Sequence, residues 1–131
     1  MINAAAARGY LMTTGVERHY SESDSLVDAI ATSLRAAGID PERVAAADLA
    51  PVDEFHIRGR TATLALGDAM GVDADTSVLD IGSGLGGAAR TLAEEYGCTV
   101  TGIDLTPAFC TAASELSRWR RLDDRTTFRV G

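Results

Sequence analysis

The chain has 131 residues, 46% of them hydrophobic, which fits one globular domain with a single core. Its formal net charge is −7 and all twelve basic side chains are arginines, a balance that argues against a nucleic-acid partner, since such a partner needs a basic face. No apolar run approaches the ~20 residues of a membrane span, so no membrane partner is expected. The two cysteines, Cys98 and Cys110, have no CxxC spacing, and we expect reduced, buried thiols in a cytoplasmic protein.

The first part of the chain, residues 1–52, is expected to be a helical arm. Residues 1–14 are expected to be a loose arm or a frayed helix. The helical spacing of Leu26, Ile30, Leu34 and Ala37 predicts a helix that ends at Gly38. A second, short helix is predicted to begin at Asp40 and Pro41 and to stop at Pro51.

The middle of the chain leads into the first predicted strand. Residues 53–59 are expected to form a loop, and a helix over Thr61–Met70 is expected to end at Gly71. A turn over residues 73–75 then precedes a strand over Ser77–Ile81.

A glycine-rich turn follows this strand. Gly82, Gly84 and Gly87 have the spacing GxGxxG, and an alanine-rich helix is predicted from about Leu85 to Tyr96. Parallel α/β sheets build nucleotide pockets at such a turn, where glycines allow close backbone approach and the helix offers unpaired N–H groups. On this helix we expect the alanines to pack and three charged side chains to face water: Arg90, Glu94 and Glu95.

The ligand is indicated by Asp80, two residues before the first glycine. A carboxylate at the end of a buried strand is costly unless it is paired or solvated at a site. The α-ammonium group of S-adenosylmethionine would pair with it, whereas the pyrophosphate of NAD would be repelled. The alternative is that Asp80 caps the glycine turn through backbone N–H groups.

A second acid lies twenty residues after Gly84. Asp104 follows a predicted strand over Thr99–Ile103, where an acid is placed to accept hydrogen bonds from ribose hydroxyls. The alternative is that it caps the next helix, which Thr106 and Pro107 open. Phe109 and Trp119 on that helix are expected in the core. The last predicted elements are a turn at residues 123–124 and a third strand over Thr126–Val130.

Together, Val78–Gly87 and Gly102–Thr106 resemble the class I S-adenosylmethionine-dependent methyltransferases. The group that is most similar includes the ubiquinone/menaquinone, glycine–sarcosine and phosphoethanolamine methyltransferases, and Asp53–Thr63 is similar to the segment that precedes their first strand. The resemblance implies an α/β, Rossmann-like class I methyltransferase fold. Residues 1–52 would be a helical lid, and residues 53–131 would be the first half of the cofactor-binding domain, with strands 1–3 of a parallel sheet.

The resemblance also implies roles for individual residues. Leu105 would lie against the adenine, and Gly59 would approach the methionine carboxylate with Arg58 or Arg60 adding charge; core packing and a plain loop are the alternatives. The cofactor-binding candidates are Asp80, Gly82, Ser83, Gly84, Gly87, Asp104, Leu105, Gly59 and Arg58. The candidates for a catalytic base or for the acceptor pocket are His56, His19 and Tyr20. No metal site is expected, because no ligand cluster has a suitable spacing.

The expected function is S-adenosylmethionine-dependent methyl transfer to a small-molecule acceptor. The alternatives are an NAD(P)-dependent oxidoreductase that uses the same glycine turn, and a non-catalytic fragment. Family members continue beyond the third strand with four more strands, so we expect this sequence to be the N-terminal piece of a longer enzyme. A three-stranded sheet would leave the first strand as an exposed apolar edge, which favours self-association.

Overall fold

The computed structural model describes residues 24–53 and 59–131. Residues 24–36 are helical (α1), and a short 3₁₀ helix spans Pro41–Arg43. The other elements are, in order, α2 (Ala46–Asp53), α3 (Gly59–Met70), β1 (Ser77–Ile81), α4 (Gly87–Tyr96), β2 (Thr99–Asp104), α5 (Pro107–Trp119) and β3 (Thr126–Val130). The predicted loose arm, residues 1–14, lies outside the described residues.

The three strands form one parallel sheet in the order β1-β2-β3, as the sequence predicted. Strands β1 and β3 have their predicted bounds, and β2 runs one residue further, to Asp104. The elements are separated by local signals: Gly97 at φ +72° caps α4, and Pro107 occupies the first turn of α5. The alternating helices and strands are therefore those of an α/β unit, with α4 and α5 joining parallel neighbours.

One hydrophobic cluster lies between the sheet and α4. Its buried members are Val72, Ala89, Leu92, Ala93, Cys98 and Val100. Val78, Tyr96 and Phe128 pack against it, so alternate residues of the strands face the helices. This cluster fixes α4, and hence the turn before it, onto the sheet.

A second cluster joins the N-terminal helices to α5. Its buried members are Ile30, Leu34, Val44, Leu49 and Leu116. Leu85 of the glycine-rich turn and Trp119 of α5 pack against this cluster. The N-terminal helices thus reach the glycine turn from the α5 side.

The segment before α2 differs from the prediction of one short helix. The 3₁₀ helix begins at Asp40, whose side chain accepts from the Glu42 N–H, but Val44 is extended and ends it. Asp48 then accepts a hydrogen bond from the Ala45 N–H (2.7 Å), which starts α2 as a separate helix.

Four smaller expectations about helix bounds and faces were also wrong. Pro51 lies inside α2, which loses one backbone donor there, and Ala37 is exposed beyond the end of α1. Helix α3 begins at Gly59, two residues earlier than predicted, and α4 begins at Gly87, two residues later, because residues 82–86 are used by the turn.

The other face of the sheet is exposed. Leu79 and Ile81 alternate with the residues that face the helices, and they are 57% and 79% exposed. Strand β1 is at the edge of the described sheet, as expected. Within residues 24–53 and 59–131, no helix is long and apolar enough to cross a membrane.

Candidate functional site

The glycine-rich turn folds over the carboxyl end of β2. The backbone N–H groups of Gly82 and Ser83 both donate to the carbonyl oxygen of Ile103, at 2.8 and 3.0 Å. Gly82 and Gly84 have φ values of +78° and +53°, in the left-handed region that favours glycine, and a Cβ on either would meet nothing within 4 Å. The backbone at these two positions is therefore open to close approach by a ligand.

Asp104 is held directly by this turn. Its Oδ2 accepts from the Gly84 N–H (2.9 Å), and its Oδ1 accepts from the Thr106 N–H (2.8 Å). These bonds, that from Thr106 first, lower the pKa of the carboxyl group. The N-cap residue of α5 is Thr106, so Asp104 joins the glycine turn to the residue that precedes the helix. Because each oxygen can accept a further bond, a ribose role is compatible with these contacts.

Asp80 lies at the same end of the sheet. It pairs in register with Gly102 on β2, two residues before Asp104, and it is half-buried on the face that carries Val78. The turn hydrogen bonds bring the ends of β1 and β2 together, so both carboxylates are at neighbouring strand ends, as expected. That Asp80 binds the methionine end of a cofactor stays a prediction.

Two other glycines near the turn are required by packing. A Cβ on Gly87 would overlap the backbone carbonyl of Asp53, so α2 ends directly on the first residue of α4. A Cβ on Gly102 would lie 2.6 Å from the ring of Phe128 and 2.7 Å from Ser83 Oγ. The cofactor role of Gly87 stays a prediction, and its close contact with α2 already accounts for a glycine there.

The apolar candidates have different environments. Leu105 is 83% exposed beside Asp104, so the core-packing alternative is wrong and the predicted adenine contact is untested. Phe109 was expected in the core, but it is 39% exposed, because it lies on the exposed side of α5 near the start of that helix. Trp119 packs on the second cluster, as expected. Ser83 Oγ is buried and has no hydrogen-bond partner among the described residues.

Several candidates cannot be placed. His19, Tyr20, His56 and Arg58 lie outside the described residues. Gly59 begins α3 with φ +48°, and the adjacent Arg60 points to α4. Its guanidinium contacts Glu95 (3.1 Å), Glu94 (3.6 Å) and Thr91 Oγ1 (3.3 Å). These contacts favour a structural role for Arg60 over the expected contribution at the methionine carboxylate.

Arg90 does not lie where the sequence predicts it. It was expected to face water, yet it is only 4% exposed. Its Nη2 donates to Asp53 Oδ2 (2.6 Å) and its Nη1 donates to the Ala113 carbonyl (3.2 Å). Burial lowers the pKa of the guanidinium, and the charge of Asp53 opposes that shift. The Asp53 partner, 37 positions upstream, left no signal in the local pattern.

No metal site is indicated in the described part of the chain. Residues 24–53 and 59–131 contain no group of three or more His, Cys, Asp or Glu side chains that could hold an ion. Cys98 and Cys110 are free and buried, as expected, and burial raises the pKa of both thiols.

Comparison with known proteins relates this geometry to a family. Residues 78–131 match the family model described as a methyltransferase domain. The chain is 50% identical over 42 residues to 2-methyl-6-phytyl-1,4-hydroquinone methyltransferase of Synechocystis sp.; the match covers 32% of this chain and 13% of that protein. It is 40% identical over 55 residues to a probable chloroplastic tocopherol O-methyltransferase of Oryza sativa subsp. japonica, covering 42% of this chain and 15% of that protein.

A solved structure is similar over a larger part of the chain. It is an S-adenosylmethionine-dependent methyltransferase from Thiobacillus denitrificans in complex with S-adenosylhomocysteine, with 30% identity and a TM-score of 0.51. The match covers 59% of this chain and 32% of that one, and so the chain spans well under half the length of each protein named here. These matches do not bear on the expected self-association through β1.

Proposed function

We propose that this chain binds S-adenosylmethionine and takes part in methyl transfer to a small-molecule acceptor. The match of residues 78–131 to the methyltransferase-domain family model supports this proposal. The observation that carries the proposal is the hydrogen bond from the Gly84 N–H to Asp104 Oδ2, which joins the glycine turn to an ionised acid. The similar structure from Thiobacillus denitrificans holds S-adenosylhomocysteine, and the curated relatives are named for a hydroquinone and a tocopherol, which supports both the cofactor and the class of acceptor.

The described residues fit such a cofactor. Gly82 and Gly84 leave open backbone, and Asp104 is ionised at neutral pH, as an ordinary aspartate is, with a pKa that is lowered further. In the proposal Asp104 accepts hydrogen bonds from the two ribose hydroxyls, Asp80 faces the ammonium group, and the exposed side chain of Leu105 covers the adenine. In these assignments the acids at the ends of β1 and β2 both contact the cofactor.

The mechanism needs little covalent help from the protein. When bound, S-adenosylmethionine supplies an electrophilic methyl group on a sulfonium. The chain's contribution is to hold the reactants in line and to exclude water, which gives most of the rate effect in reactions of this type. A base is needed only where the acceptor arrives protonated, and His56 and His19 are the candidates, with Tyr20 proposed to line the acceptor pocket.

Binding of the cofactor product tests the proposal. Calorimetric titration of the chain should show binding of S-adenosylhomocysteine and none of NADH. Binding of NADH alone would support the oxidoreductase alternative. Binding of neither would favour a non-catalytic fragment.

The ribose assignment has its own test. Asp104→Ala should weaken S-adenosylhomocysteine binding by at least about tenfold, because the loss of even one charged hydrogen bond of this kind costs about 1.5–3 kcal/mol. Asp123→Ala, which removes an exposed acid from the turn before β3, is the matched control and should leave the affinity unchanged. Equal affinities for both variants would remove Asp104 from the site.

A further inference from the structure

A buried ion pair lies behind the glycine turn, away from the proposed cofactor contacts. The side chains of Arg90 and Asp53 are only 5% and 6% exposed, and Arg90 Nη2 is 2.6 Å from Asp53 Oδ2. Water cannot solvate either charge at this exposure, so each depends on the other. Removing Asp53 would leave the buried charge of Arg90 without this acid partner.

The pair connects three helices at the first turn of α4. Asp53 is the last residue of α2, Arg90 is the fourth residue of α4, and the second arm of the guanidinium reaches the Ala113 carbonyl on α5. The backbone carbonyl of Asp53 also contacts Gly87, where even a methyl group would not fit. The position of the first turn of α4 relative to α2 is therefore set by this one residue of α2 through its side chain and its backbone.

The first turn of α4 is continuous with the glycine turn. Arg90 N donates to Gly86 O (2.9 Å), and Gly86 N donates to Ser83 O (2.9 Å). A shift of α4 relative to α2 would therefore move Gly84, whose N–H holds Asp104.

The other arginines that contact α4 are more exposed than Arg90. The Arg60 side chain is 33% exposed, and its partners Glu94 and Glu95 are 37% and 50% exposed. Arg120 also binds Glu94, and its Nη1 donates to the Val44 carbonyl at 2.9 Å. Exposed pairs contribute about 0–1 kcal/mol. Arg118 on α5, which is 67% exposed and paired with Glu115, therefore offers a control with the same charge away from the glycine turn.

We propose that Asp53 and Arg90 are a positioning pair that fixes the glycine turn for cofactor binding without touching the cofactor. The proposal rests on the proposed function for its ligand, S-adenosylhomocysteine. It assigns to the end of α2 an indirect role in cofactor affinity, whereas the strand-end acids contact the cofactor in the proposed function.

The test uses the full chain with Asp53→Asn, Arg90→Lys and the double variant. Asn keeps the shape of Asp without its charge, and Lys keeps the charge of Arg but cannot bind Asp53 and the Ala113 carbonyl together. We expect each single variant to bind S-adenosylhomocysteine about tenfold more weakly, and the double variant to lose no more than the weaker single variant. Arg118→Met should stay within about twofold of the wild type.

A second measurement needs no ligand. In hydrogen exchange of the free chain, the amides of residues 84–90 should exchange about tenfold faster in Asp53→Asn than in the wild type. Thr126→Ala, which removes a buried hydroxyl of β3 and its hydrogen bond to the Leu122 carbonyl, is the control for a general loss of stability and should not change these amides selectively.

The outcomes separate the two proposals. Unchanged affinity and unchanged exchange in folded Asp53→Asn would overturn the positioning pair and leave the cofactor assignment intact. The same selective changes in Thr126→Ala would overturn it too, because they would follow from stability alone. If the wild type binds no S-adenosylhomocysteine, the proposed function fails, and the exchange rates of residues 84–90 still decide whether the pair fixes the turn. If Asp53→Asn does not fold, Arg90→Lys is compared with the wild type in both measurements.

Discussion

Tyr96 shows how one polar side chain joins two helices. Its hydroxyl lies 2.7 Å from Asp68 Oδ1 and 2.9 Å from the Leu64 carbonyl oxygen, both on α3. Its ring occupies the space that a Cβ on Gly67 would need. Because the hydroxyl donates to a carboxylate, its ionisation is opposed, and the pKa of Tyr96 is raised to about 12.

Tyr96→Phe should show a pH-dependent loss of stability. The pKa of Tyr96 is about 12 in the folded chain, against about 10 for tyrosine in an unfolded chain, so the folded state holds the proton more tightly. The stability from this hydrogen bond is fully present below about pH 10 and is lost as the pH rises toward about 12. Thermal unfolding at pH 8 and at several values above 10 should show the wild-type advantage over Tyr96→Phe shrinking with pH; a constant difference would contradict this.

At the scale of elements, the ends of α4 and α5 use the same backbone conformation with different residues. Gly97 follows α4 with φ +72°, and Arg121 follows α5 with φ +56°. In α5, Leu122 N donates to Ser117 O at 2.9 Å, which closes the last turn. Glycine adopts this left-handed conformation readily, whereas arginine is strained there.

The two helix ends should respond in opposite directions to substitution. Arg121→Gly should stabilise the chain by about 0.5–1 kcal/mol, because the relief of strain exceeds the added entropy of the unfolded state. Gly97→Ala should destabilise it by about 1 kcal/mol or more, since a Cβ at this φ is strained. Urea denaturation measures both, and a destabilised Arg121→Gly would show that its side chain makes contacts that outweigh the strain.

At the scale of the whole molecule, the hydrophobic core lies on one side of the sheet. Leu116 is fully buried among the residues of α1, α2 and α5, whereas Ile81 on the opposite face is 79% exposed. Burial, and not the type of residue, decides what each apolar side chain contributes to stability.

These two residues predict a large difference in stability. Leu116→Ala should cost about 2–5 kcal/mol, as for other buried leucines, because it leaves a cavity. Ile81→Thr should change the free energy of unfolding by no more than about 0.5 kcal/mol, because both residues are β-branched and the site is exposed. A cost above about 2 kcal/mol for Ile81→Thr would mean that this face is covered in solution.

Local patterns in the sequence determined the order of the elements, the parallel sheet and the glycine turn with its two acids. Gly97, Pro107 and Gly84 determine the local backbone conformation within a few residues of themselves. The alternation of strand side chains between the two faces of the sheet does not depend on which strands pair. The tertiary structure alone decided that Arg90 is buried, that position 87 has room only for glycine, and that Leu105 is exposed. The burial of Arg90 and the close packing at Gly87 both depend on Asp53, which is 37 positions before Arg90. The exposure of Leu105 depends on which distant segments pack near it. No local pattern encodes such long-range neighbours.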